Sequence, residues 1–318
     1  MRPVVWLFAL LIGFCIDLLL GDPPLAFHPV RLMKGMTVGL SAGLRRLCPK
    51  TSGGERVAGT ILGLLVCVVS WGGTMALLLF CGFLSPWLSF AVQILLSYQL
   101  LGTRALRDTG VRVYAALRRG DQASARCALS TLTAEELESP NEEGITRAAV
   151  ETVAVHTCDS VVGTLLFLAA GGAPLGMLYR SVGAMRAALG GSGEQDLAFG
   201  RFAIQLEDIL SFIPARVAGS LMCFCAAPAG FDGQGALAVF RRDRIQQNVP
   251  NACHTGAACA GALQIELGGG LCADSPVIGA PSRPAEPLDI LRANRLMYAT
   301  AFFTLVLCCG LPLMVLLT

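Results

Sequence analysis

The sequence predicts an all-α, polytopic integral membrane protein with about five spans and cytoplasmic helical segments that form a cleft. Three observations predict it. Of 318 residues, 54% are hydrophobic and only 14% are charged, against about 25% charged in soluble domains. The mean hydropathy is +0.63. Apolar runs long enough to cross a bilayer alternate with segments that carry most of the arginines. The pattern reads as a single membrane domain over 1–318, with cytoplasmic segments at about 21–56, 104–157 and 229–295.

The first span covers residues 4–20 and reads as retained rather than cleaved. At about 1.5 Å per residue, a helix of that length just covers the hydrocarbon core. Asp17 near its end is costly unless it serves a site. Gly21-Asp22-Pro23-Pro24 then stops the helix, because proline lacks the N–H that continuation needs. The loop that follows carries Arg31, Lys34, Arg45, Arg46, Lys50 and Arg56. Residues 57–83 form the second span and 86–102 the third, joined at Ser85-Pro86. Placing the basic loops in the cytoplasm puts the N-terminus outside.

Residues 104–157 read as short amphipathic helices, with Leu106, Val111, Val113, Ala116 and Leu117 at helical spacing. Arg119-Gly120-Asp121 is a turn, and Asn141 or Ser139 caps the helix that runs into Glu151. Residues 161–179 contain Gly171-Gly172-Ala173-Pro174 and read as a broken or re-entrant span. Residues 200–228 hold Glu207, Asp208, Pro214 and Arg216 in an apolar stretch, so these charges face a cavity or each other. One acid of the pair meets a cavity in this reading, while the other pairs with Arg216. Residues 296–317 form the last span.

Composition and motifs exclude several functions. A net charge of +2 gives no global field for nucleic acid. Of 13 cysteines, several lie in apolar runs as small hydrophobes, no CxxC pair occurs, and reduced thiols are expected rather than disulfides or a zinc site. There is no phosphate-binding Gly-rich loop ending in Lys and no nucleophile elbow. The acids near apolar segments are Asp17, Asp22, Glu151, Asp159, Glu207 and Asp208. Glu151 and Asp159, eight residues apart, lie near one helix face. Such carboxylates suit Mg²⁺ held with substrate phosphates, or proton and cation transport. His28 either donates to phosphate or bonds a backbone carbonyl.

Four blocks in order carry a resemblance. They are Asp17…Gly21-Asp22-Pro23…His28-Pro29-Val30-Arg31, then Ala148-Ala149-Val150-Glu151…Asp159, then Phe199-Gly200…Glu207-Asp208…Ile213-Pro214-Ala215-Arg216. The last is Pro250-Asn251-Ala252…Ala260-Gly261-Ala262-Leu263…Leu267-Gly268-Gly269. Together they resemble the adenosylcobinamide-phosphate synthase family (CobD/CbiB) of cobalamin biosynthesis, over almost the whole chain.

The resemblance implies a multi-pass protein of the bacterial inner membrane. It implies an ATP-dependent ligase that joins a carboxylate of adenosylcobyric acid to aminopropanol or its phosphate, giving adenosylcobinamide or its phosphate. ATP and Mg²⁺ are the implied cofactors. Asp22, Glu151, Asp159 and Asp208 are the implied catalytic residues, with Asp22, Glu151 and Asp208 on the metal. His28, Arg31 and Arg216 would contact phosphate or corrin carboxylates, and Asn251 a substrate amide or phosphate. The expected partners are these substrates, membrane lipid and other corrinoid-pathway enzymes, with no nucleic acid. The acids are expected to converge in one water-filled pocket at the inner leaflet.

The chain departs from the family pattern at Val155 and His156, where Glu-Asn is usual, and at Gln205, Glu207, Ser211, Val249, Cys253 and Gly256. Two other readings therefore stand beside the synthase. One is a corrinoid-binding or scaffolding paralogue that does not turn its ligand over. The other is a small membrane transporter that uses the intramembrane acids as a relay.

Overall fold

The structure, a computed structural model, describes residues 3–21, 28–48, 51–132, 141–189, 194–245, 251–268, 277–280 and 282–317. Among these residues the regular elements are helices, and one isolated bridge joins Leu267 and Ile278. In chain order they are α1 (Pro3–Leu20), α2 (Pro29–Leu47), α3 (Ser52–Leu84), α4 (Pro86–Leu100), α5 (Thr103–Arg118), α6 (Gln122–Leu129) and α7 (Glu142–His156). A π-helical turn, Thr157–Val162, leads into α8 (Gly163–Leu189). Then come α9 (Glu194–Ala226), α10 (Gly233–Asp243), α11 (Ala252–Leu263) and α12 (Leu288–Leu317).

Helix starts follow the local chemistry. Pro29 and Pro86 occupy the first turns of α2 and α4, where the missing N–H costs no hydrogen bond. The Asn141 side chain accepts from the Gly144 N–H at 2.9 Å and caps α7, which settles the choice between Asn141 and Ser139. Asp121 and Asp232 cap α6 and α10 in the same way.

Four helical stretches are long and apolar enough to cross a membrane: Ser52–Leu84, Glu142–Leu189, Asp196–Ala226 and Leu288–Gly310. The shorter apolar helix Val5–Leu20 is the expected first span. The fold class and the approximate number of spans therefore stand as expected. One element differs from expectation. The third span shortens to α4, whose 15 residues rise only about 22 Å, less than a bilayer core. The Gly/Ala-rich stretch 229–295, expected to be helical in part, holds α10 and α11 and the start of α12.

The chain divides into two compact units. Unit one comprises Met1–Leu101, Thr164–Ser211 and Cys308–Thr318. Its core gathers Ala58, Leu62 and Val66 of α3, Val182 and Met185 of α8, and Phe199 and Ala203 of α9. Met36, Leu40 and Leu44 of the amphipathic α2 pack against it. Glycines bring these backbones close. A Cβ at Gly59 would collide with the backbone of Phe199, and one at Gly13 would approach Ser97 Cβ to 2.9 Å. Tyr98 donates its hydroxyl to the Gly21 carbonyl at 2.7 Å, satisfying the end of α1. Asp17 is buried in α1.

Within this unit α8 folds back on itself. Gly171 (φ −152°, ψ 23°) and Gly172 (φ 66°, ψ −160°) leave the helical region. Phe167 and Tyr179 then stack with ring centroids 4.6 Å apart. Twelve residues of straight helix would separate them by about 18 Å. Leu168 likewise lies where a Cβ on Gly176 would meet it at 2.5 Å. The apolar stretch 142–189 is therefore interrupted by a helical hairpin with a Gly-Gly tip, at the place where the sequence reads as re-entrant. Backbone of this kind is tolerated at membrane depth only where protein or a cavity surrounds it.

Unit two comprises Gly102–Gly163 and Phe212–Leu307. Its buried core includes Leu106, Val113 and Leu117 of α5, Leu129 of α6, Ile145 and Val150 of α7, and Leu296 of α12. Gly110 of α5 lies against the Asn294 side chain of α12, where a Cβ would stand 2.8 Å from the amide nitrogen. The buried Asp289 bonds both Arg283 (2.6 and 2.7 Å) and Arg292 (2.7 Å).

Candidate functional site

The polar residues singled out by the sequence fall into groups that the two units hold separately. In unit two, Glu151 lies on α7 and Asp159 in the π-helical turn, both half-buried. A π turn takes more residues per revolution than an α-helix and is common at functional sites. Here it reduces the angular offset between the two acids relative to a regular helix. Helix α11 packs against both α7 and this turn.

Asn251 is the N-cap residue of α11, and its side chain does not make the capping bond. Two residues on, burial pushes the Cys253 thiol up to about 11, with the Glu151 and Asp243 carboxylates pushing in the same direction. Glu151 sits on α7, the helix that packs against α11. His254 is buried with its ring edge-on to Phe240, centroids 5.9 Å apart. One turn before Glu151, Arg147 reaches Glu143 at 2.7 Å and Glu266 at 2.8 Å, tying α7 to the chain that leaves α11.

Asp243, at the end of α10, receives two bonds from Arg242 (2.6 and 2.7 Å) and one from the Gly279 N–H (2.9 Å). The guanidinium, helped by that amide, holds the carboxyl below its usual range against the opposing effect of burial. Gly279 sits at φ 99°, and a Cβ there would stand 2.6 Å from the Ile265 carbonyl oxygen, so the loop after α11 closes onto α10 only with glycine.

Arg216, on α9, does not pair with an acid of the Glu207-Asp208 pair. Its Nη1 donates to the Phe212 carbonyl at 2.8 Å, and its guanidinium lies 3.4 Å from the centroid of the Phe212 ring. An arginine that does meet the pair is Arg186, in unit one. Its Nη1 bonds Glu207 at 2.6 Å and lies 3.7 Å from Oδ1 of Asp208. Also in unit one, His28 is the N-cap residue of α2 and Arg31 is exposed one turn in. Asp22 lies outside the described residues.

Arg186, Asp243, Cys253 and His254 were not singled out as site residues by the sequence. For Arg186 a signal existed, since an arginine in an apolar helix requires a partner. Asp243 gave no signal, because its neighbour Gly279 is 36 residues away. Among the described residues no group of three or more His, Cys, Asp or Glu side chains is placed to hold a metal ion, and the cysteines are free thiols.

Comparison with known proteins adds the family. The model described as "CobD/Cbib protein" matches residues 10–297. A "Cobalamin biosynthesis protein CobD" of Klebsiella pneumoniae is 33% identical over 309 residues, covering 96% of this chain and 97% of its own length. The protein of the same name from Geobacter metallireducens is 36% identical over 288 residues, covering 89% of each chain. A "Cobalamin biosynthesis protein CbiB" of Salmonella typhimurium is 32% identical over 309 residues, covering 94% and 97%. No solved structure matches this chain. With one family model spanning nearly the whole sequence and end-to-end relatives above 30% identity, the chain belongs to the CobD/CbiB family.

Proposed function

We propose that this chain is a membrane-bound enzyme of cobalamin biosynthesis that forms the amide between a carboxylate of adenosylcobyric acid and aminopropanol or its phosphate. The family match over residues 10–297 carries this reading, together with relatives named for cobalamin biosynthesis along their whole length. Chemistry sets what the site must do. A carboxylate and an ammonium do not condense at neutral pH, so the acid must be activated and the amine deprotonated. ATP supplies the activation most simply through an acyl phosphate, and Mg²⁺ would neutralise phosphate charge.

The residues of unit two fit that demand. Mg²⁺ keeps several waters and takes one or two carboxylates along with substrate phosphates, rather than a closed protein cage. Glu151 and Asp159 are half-buried acids on consecutive elements, both of which pack against α11. In this reading Glu151 holds the metal and Asp159 accepts the amine proton. Asp22 and Asp208 are the other acids assigned to metal or amine handling. His28, Arg31 and Arg216 offset phosphate or corrin carboxylate charge, and Asn251 bonds a substrate amide or phosphate. The cell membrane is the site of action, with the basic loops in the cytoplasm.

A second reading, a corrinoid-binding relative without turnover, draws on one observation. His156 stands where the family resemblance expects Asn, and its Nε2 lies 3.3 Å from the Leu132 carbonyl oxygen, a contact that ties α7 to the chain just after α6. Complementation separates the two. In a bacterium lacking its own CobD/CbiB protein, the synthase restores cobalamin-dependent growth on cobyric acid. Growth on cobinamide but not on cobyric acid would overturn the proposal.

A further inference from the structure

The tip of the α8 hairpin meets a buried polar surface that the proposed chemistry does not use. Gln93, midway along α4, is fully buried, and both its amide nitrogen and its amide oxygen lack a hydrogen-bond partner among the described residues. One turn later on the same face, Ser97 is buried with its hydroxyl also unpartnered. A Cβ added at Gly172 would stand 2.6 Å from the Gln93 amide nitrogen and 3.4 Å from the Trp6 ring. The carboxamide therefore lies against the hairpin tip, and glycine at 172 permits this close approach. All these residues lie within unit one.

Two polar deficits coincide here. An amide taken out of water without a partner costs several kcal/mol in hydrocarbon surroundings. A helix break also deprives the last carbonyls of one arm and the first N–H groups of the next of their intrahelical partners, and Pro174 has no N–H to offer. A carboxamide presents donors and an acceptor, a hydroxyl presents both, and a broken helix presents both. A water molecule is the small ligand that satisfies such a mixed set, given two to four polar partners.

We propose that the hairpin tip at Gly171-Gly172, with Gln93 and Ser97 of α4, binds ordered water inside the membrane unit. The water bridges the carboxamide and hydroxyl to the backbone of the broken turn and fixes the hairpin in its folded-back form. A high-resolution cryo-EM map of the full-length protein in nanodiscs tests this directly. The expected result is a density peak about 2.7–3.1 Å from a Gln93 amide atom and from a backbone polar atom of the tip. A second measurement is thermal unfolding of Gln93→Leu and Ser97→Ala. Leucine nearly matches the shape but strands the water and the tip backbone, so the apparent Tm falls by several degrees, and the serine variant shows a smaller fall. A map in which Gln93 bonds the tip backbone directly, with no water peak, overturns the proposal. So does a Gln93→Leu protein with an unchanged or raised Tm.

Discussion

Arg186 Nη1 bonds Oε2 of Glu207 at 2.6 Å and stands 3.7 Å from Oδ1 of Asp208, so one guanidinium of α8 faces two consecutive carboxylates of α9. The Glu207 side chain is largely buried, at 15% exposure, whereas Arg186 is 43% exposed. Losing the cation leaves two adjacent acids without their shared counter-charge. The exposure of Arg186 limits the cost to about 1–2 kcal/mol, less than for a fully buried pair. Arg186→Leu is expected to lower the apparent Tm in detergent, and adding Glu207→Gln is expected to recover part of the loss. An additive double variant would show that the two side chains act independently.

Gly172 occupies backbone space that L side chains avoid, and a Cβ there would press on Gln93. Gly172→Ala is expected to destabilise by about 2–4 kcal/mol. Gly72 of α3 is the contrast, because its Cβ would meet nothing within 4 Å. Gly72→Ala is expected to be neutral or to stabilise by up to about 1 kcal/mol through helix propensity. Parallel thermal unfolding of the two variants checks both signs.

Asp243 links α10 to the Gly279 loop, and its carboxyl is held below the usual range chiefly by Arg242. A carboxylate with a depressed folded value stabilises fully above its unfolded pKa of about 3.9 and loses that contribution as pH falls through the folded value. Asp243→Asn is expected to be less stable than wild type at pH 7. The gap should narrow as pH falls below about 4, where the wild-type carboxyl also takes up a proton. Unfolding midpoints from pH 3 to 7 for the two proteins give the comparison.

Cys253 is buried, with its thiol pushed up to about 11 by that burial and by the nearby carboxylates, whereas Cys127 is exposed. Since the thiolate is the nucleophile, only about 0.1% of Cys253 is reactive at pH 8 even before access is considered. A maleimide time course read by peptide mass spectrometry is expected to label Cys127 within minutes and leave Cys253 unmodified in the folded protein. Rapid labelling of Cys253 would place it outside the packed turn of α11.

Much of the architecture could be read from the chain, because membrane insertion acts on single segments. Apolar length gave the spans near α1, α3 and α12, and Gly171-Gly172-Ala173-Pro174 marked the fold-back of α8, whereas the charges within 200–228 kept α9 from being read as a span. What failed depended on partners distant in sequence. Arg216 suggested itself as the counter-ion of Glu207-Asp208 by proximity along α9, yet Arg186, 21 residues before Glu207, takes that place. The shortening of α4 was hidden because its composition resembles a span while its length is set by the turn at Leu101. The bounds of α10 and α11 within 229–295 were obscured by glycine and alanine, residues that satisfy loop and close-packed helix alike. For the site, spacing suggested Glu151 and Asp159 on one face, and the π turn that reduces their offset left no mark in composition.

The measurement that bears most directly on the proposed synthase uses purified full-length protein with adenosylcobyric acid, ATP, Mg²⁺ and aminopropanol or its phosphate, with the corrinoid product read by mass spectrometry. The account predicts an amide product that needs ATP and amine together and falls by at least about a hundredfold in Glu151→Gln, the loss expected on removing one group of an acid–base or metal site. Corrinoid bound tightly by a folded protein that yields no amide under any of these conditions would contradict it.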